Sequence, residues 1–194
     1  MEGTDPVNKK LAAALSGGAV LVLALSGCGD DSNDKLNSWA KQVCDAVQPQ
    51  AKKIESANAA IQQQTSDNSS PADVQKTDSK AFQDMSDAYK AIGDAVDKAG
   101  APNVDGGEKK QQNAVQELDK ISTSYADLKK QVDKLDTGDQ GKFAEGLKSV
   151  AGELSKLSQS GSDALKKLEE GDVGKAMSEQ ESCKSASVTP SASS

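Results

Sequence analysis

Four stretches of this sequence place apolar residues at helical spacing, and a chain so patterned has little choice but to bury those stripes against one another. Leu36, Ala40, Val43, Val47, Ile54 and Ile61 form the first stripe; Val74, Ala81, Met85, Tyr89, Ile92, Val96 and Ala99 form the second. The third, through Val115, Leu118, Ile121, Tyr125, Leu128, Val132 and Leu135, is the most regular, and the fourth runs through Phe143, Leu147, Val150, Leu154, Leu157, Leu165 and Leu168. Turn chemistry separates them. Thr65 to Pro71 is a loop in which Ser70 is a candidate N-cap with Pro71 at the first helical position. Gly100-Ala101-Pro102 and Asp136-Thr137-Gly138-Asp139 are stops, Gly161 is a weak point, and Pro49 either kinks or breaks the first helix. After Gly171-Asp172 a short helix is expected from Val173 to about Ser182. Short connections make sequential helices neighbours, so the expected fold is all-α: an antiparallel four-helix bundle with a short C-terminal helix.

Ahead of the stripes, Lys9 and Lys10 precede an apolar run from Leu11 to Leu25, interrupted by Ser16, Gly17 and Gly18. That is the layout of a secretory signal peptide, and it is short for a membrane span. It closes on Leu25-Ser26-Gly27-Cys28, which looks like a bacterial lipobox. The implied chemistry is transfer of diacylglycerol to the Cys28 sulfur and cleavage before it, with a second acyl signal giving stable anchoring. The expected organisation is a lipoprotein signal peptide at 1–27, a lipidated N-terminus and flexible tether at 28–33, the bundle at 34–183 and a disordered tail at 184–194. A plain secreted protein and an uncleaved anchor are the alternatives.

The formal net charge is −7, and Glu2 and Asp5 cancel Lys9 and Lys10 within the leader, so the balance survives cleavage. An acidic chain argues against nucleic acid, which is gripped by clustered Lys and Arg. Every basic residue is Lys, so the bidentate fork suited to phosphate is missing and a twin-arginine export signal is excluded. The apolar fraction is 35% with 3% aromatics, which implies a thin core that would benefit from a staple. With Cys28 lipidated, Cys44 and Cys183 are the remaining thiols, and outside the cytoplasm such a pair is expected to form a disulfide. Two free thiols or an intermolecular bridge are the alternatives. An up-down-up-down bundle ends its fourth helix beside the start of the first, which would bring the pair within reach.

The chain has no His, which removes histidine triads and the common histidine metal sites. Asp136 to Gly141 invites a calcium-loop reading, but from Asp136 the ligand positions fall on Gly138, Gln140 and Leu147, so a helix-stop turn fits better. Asp84, Asp87, Asp94 and Asp97 recur at helical spacing among Lys80, Lys90 and Lys98, which reads as a solvated, partly paired face rather than a cation site. Trp39, Phe82, Tyr89, Tyr125 and Phe143 read as core, with a pocket for an apolar ligand as the sharper alternative. Glycines 93, 146, 152 and 161 mark either close helix approach or bends. No catalytic residue, cofactor or metal is implied.

The lipobox at Cys28, Trp39-Ala-Lys-Gln-Val-Cys44, Tyr89-Lys-Ala-Ile-Gly-Asp-Ala-Val96 and Gln180-Glu-Ser-Cys183 together resemble the small secreted lipoproteins of actinobacteria, a helical and largely uncharacterised family. The resemblance implies an envelope lipoprotein on the outer face of the cytoplasmic membrane. The expected function is that of a membrane-anchored, non-enzymatic interaction or regulatory module with an envelope protein partner. The alternative is a carrier holding a small apolar ligand or lipid between its helices.

Overall fold

The structure is a computed structural model that describes residues 30–66 and 69–184, with the side chains of 30, 65–66 and 158–166 excluded. The expected leader, Cys28 and Gly29, and the tail from 185 onward, lie outside the described residues. The described chain is all-helical: α1 Asp30–Ser66, α2 Pro71–Ala99, α3 Gly107–Val132, α4 Gln140–Leu168, α5 Asp172–Ser178 and α6 Glu181–Lys184. The four long helices pack in sequence, α1 on α2, α2 on α3 and α3 on α4, while α5 and α6 pack on α1.

The ends form where local chemistry dictates. Ser70 caps α2, its Oγ accepting from the Asp73 N–H at 3.3 Å, and Pro71 opens the helix. Gly100, at φ +74°, closes it. Asp139 caps α4: its Oδ1 accepts from the Lys142 N–H at 3.1 Å. The C-terminal end of α3 is capped from outside, because the Gln75 Nε2 on α2 donates to the carbonyls of Val132 and Leu135, both at 2.9 Å.

Two boundaries differ from expectation, and of the two alternatives at Pro49 the break is removed. Helix α1 starts at Asp30, so residues 30–33 of the expected tether are helical, and Asp31 sits in the first turn, where the helix dipole favours negative charge. Pro49 neither breaks α1 nor ends it. It lies on the exposed side while Ala51, Ile54 and Ala57 beyond it are buried, so packing holds both halves in one helix despite the missing N–H. The single short C-terminal helix is instead two, interrupted at Glu179-Gln180, where the N–H of Gln180 turns back onto the Met177 carbonyl.

Two apolar clusters fill the bundle. One joins Leu36, Trp39, Ala40, Val43 and Ile54 of α1 to Ala88, Ile92 and Val96 of α2, Ala114 and Leu118 of α3, Leu168, and Val173, Ala176 and Met177 of α5. The other joins Ala57, Ala81, Phe82, Met85, Ile121, Tyr125, Leu128, Val132 and Val150, with Ile61, Leu154 and Leu157 partly buried against it. Tyr89 packs against both. Between them α2 and α3 make a reciprocal polar clamp: Ser86 Oγ donates to the Ser122 carbonyl and Ser122 Oγ to the Ser86 carbonyl, each at 2.9 Å. One α2 turn pair further on, a Cβ built on Gly93 would meet the Leu118 Cβ at 3.4 Å.

The disulfide joins Cys44 to Cys183 with Cα atoms 5.0 Å apart, tying the end of the described chain to the fourth turn of α1, where Cys44 is buried. Ser182 donates to Asp45 beside it. Because the bridge closes a separation of 139 residues, its removal is expected to lower stability by about 5 kcal/mol on the chain-entropy account. Reduction should lower the melting temperature while far-ultraviolet circular dichroism stays helical at 25 °C. Unchanged melting in reductant would contradict this.

Two glycines give a sharper contrast. A Cβ on Gly174 would lie 1.6 Å from the Glu169 carbonyl oxygen, whereas one on Gly152 meets nothing within 4 Å. Gly174→Ala must therefore push α5 away and destabilise the fold, by on the order of 1–3 kcal/mol. Gly152→Ala should stabilise by about 0.5–1 kcal/mol through helix propensity alone. Opposite shifts in denaturant midpoint check the pair.

Candidate functional site

The described surface shows carboxylates with local duties. Asp84 pairs with Lys80 and Asp94 with Lys90, both at i,i+4; Asp87 accepts from Gln83 at 2.9 Å and Asp97 from Gln111 at 3.0 Å. The recurrent acids of α2 are thus a solvated, paired face. In the turn before α4, Asp136 accepts from the Gly138 N–H at 3.0 Å, and Lys142 Nζ lies 3.3 Å from Asp139 and 3.9 Å from Asp136. Backbone and side-chain bonds from Lys142 hold the Asp139 carboxyl below its ordinary range. These are turn and cap bonds. Among the described residues no three His, Cys, Asp or Glu side chains are grouped as a metal site would need.

The aromatic residues are core. Tyr89 and Tyr125 stack with ring centres 5.5 Å apart, and Phe82 lies 6.2 Å from Tyr125 at a tilt. Burial raises the pKa of both phenols, and Tyr89 adds to the effect on Tyr125. Trp39 is buried, with its indole N–H donating to the Gly100 carbonyl at 2.7 Å, and Phe143 is buried at the start of α4.

Two open grooves mark the described surface. The first, about 560 Å³, runs between α3 and α4 with Ile121 and Leu157 among charged neighbours including Glu117, Lys120, Glu153 and Lys156. The second, about 530 Å³, lies beside Trp39 where α1 meets the α2–α3 connection. Neither is an enclosed apolar chamber, and the stacked rings line neither. Of the glycines, Gly93 serves close helix approach, and Gly146 lies under Leu135, whose Cδ2 would be 2.3 Å from an added Cβ. Gly161 lies among the undescribed side chains.

Of the named site residues, Cys44 and Cys183 are brought together and bonded, and Cys28 lies outside the described residues. None of the described helices is long and apolar enough to cross a membrane. One residue escaped the sequence reading: Asp78 is only 7% exposed on α2, and burial pushes its carboxyl up to about 6. The signal was present, since position 78 falls four residues after Val74 and three before Ala81, on the apolar stripe itself. The sequence matches no known protein family, no curated protein and no solved structure.

Asp78 makes stability depend on pH in a stated direction. Its folded pKa is raised from 3.8 to about 6, so between those values the folded state holds more proton than the unfolded state. Stability from this group is full below about pH 4 and falls as pH rises through 6. Asp78→Asn, which keeps the shape and removes the charge, is expected to stabilise at pH 7 by on the order of 2 kcal/mol. It should change little at pH 4. Denaturant melts at both pH values check it, and equal effects at the two would be contrary.

Proposed function

We propose that this chain is an extracytoplasmic lipoprotein, anchored by acyl chains on Cys28, whose helical bundle works by binding an envelope partner rather than by catalysis. The observation that carries the reading is the Cys44–Cys183 bond: it consumes both cysteines of the bundle and leaves Cys28 as the single remaining thiol of the chain. A disulfide fits an oxidising compartment, and export is what the apolar run ending in Leu25-Ser26-Gly27-Cys28 supplies. The acids that recur on α2 and in the turn before α4 are engaged with lysines, amides and turn N–H groups, which fits a binding role better than a catalytic one. The open groove between α3 and α4 offers a mixed apolar and charged surface of the kind a protein partner covers. The carrier reading finds less support, since the aromatic rings pack on one another and the two grooves are open.

Cys28→Ala is expected to abolish incorporation of labelled fatty acid, leave the precursor uncleaved or the protein released, and remove partition into the detergent phase. A variant that keeps lipid and membrane residence would overturn the anchoring. Turnover of any substrate that one carboxylate substitution abolishes would overturn the non-enzymatic part.

A further inference from the structure

Helix α1 begins at Asp30, so Gly29 alone separates Cys28 from the first helical residue. Two residues of fully extended chain reach at most about 7 Å. An anchor on Cys28 therefore has no spacer on which the bundle could swing. The elements beside the start of α1 are cross-tied into one block: Trp39 holds the Gly100 carbonyl, Lys110 Nζ donates to the Lys167 carbonyl at 3.2 Å, and Cys183 is bonded to Cys44. At the opposite end lie the Gln75 cap on Val132 and Leu135 and the Ser79 bond to Asp133 at 2.6 Å. Helix α3, running from one end to the other through 26 residues, spans roughly 40 Å.

We propose that the Trp39 end of the bundle is a membrane-abutting surface whose partner is the zwitterionic phospholipid headgroup layer, and that the 133–139 end is held outward. The proposal rests on Cys28 being the anchor. Its lipid class follows from charge. The groove at this end is lined by two acids, Asp31 and Asp34, and one base, Lys35, together with Trp39 and Ala99. Acids suit a headgroup ammonium and the lysine suits its phosphate, whereas an anionic surface is held by clustered Lys or Arg. The described entry turns of α1 expose two acids, Asp31 and Asp34, and one base, Lys35.

The test couples a maleimide-headed phospholipid to Cys28 of the full chain on phosphatidylcholine vesicles. The coupling is selective because the other two cysteines are joined. It reads orientation whether or not cells acylate Cys28, which the Cys28→Ala experiment decides separately. Amine acylation followed by mass spectrometry should show Lys35 several-fold slower on vesicles than free in solution, with Lys134 unchanged. Emission of Trp39, the one tryptophan, should be quenched by a nitroxide carried on the headgroup. A Gly-Ser spacer inserted between Gly29 and Asp30 should restore Lys35 reactivity and Trp39 emission. Equal protection of Lys35 and Lys134, or indifference to the spacer, would overturn the orientation. Stronger protection of Lys35 on phosphatidylglycerol vesicles would overturn the assignment to zwitterionic headgroups.

Discussion

Because this chain has few large side chains to bury, its helices gain enough contact only where their backbones come close, and the seam between α2 and α3 is where that happens. Gly93 facing Leu118, and Ser86 facing Ser122, put small residues at the contact, and Ala40, Ala51, Ala57, Ala81, Ala88 and Ala114 are buried. Dispersion depends on short separations, so a thin core gains from small residues what a thick one gains from large ones. The reciprocal Ser86–Ser122 bonds fit the same logic. Two hydroxyls buried at a close contact satisfy each other's neighbouring carbonyls, and neither is left as an unpaired buried donor.

That seam positions everything else. With α2 and α3 fixed, α1 covers α2 and carries α5, α6 and the disulfide, while α4 rests chiefly on α3. Gln75 and Ser79 of α2 hold the far end of α3, and Trp39 of α1 holds the near connection. On the remaining surface, pairs such as Lys80–Asp84, Lys90–Asp94 and Lys129–Asp133 run along single helices. Exposed pairs of this kind contribute little to stability.

The proposed anchoring and the observed start of α1 bear on each other. A flexible tether would let the bundle sample all orientations above the bilayer; a helix that starts next to the anchor restricts them. The position of the bundle relative to the membrane then becomes part of how a partner meets it, through effective concentration and through which end is presented.

Much of the fold was legible in the sequence because its determinants are local. Stripes at helical period set four long helices, Ser70-Pro71 and Gly100 set their ends, and Asp136 to Asp139 set a turn that does not need metal to explain it. The cysteine pairing was legible as well, since removing Cys28 from consideration left two thiols that an antiparallel order brings together. Tertiary packing decided the rest. Pro49 could not be resolved locally, because only the burial of Ala51 and Ile54 keeps the chain helical beyond it. Asp78 on an apolar stripe has no sequence signature of its own titration, since desolvation is a property of what surrounds it. Ser86, Gly93 and Ser122 look like weak helix formers in the sequence, and only the facing helix shows why small residues stand there: spacing along one chain encodes which side is buried, but not how closely another backbone approaches it.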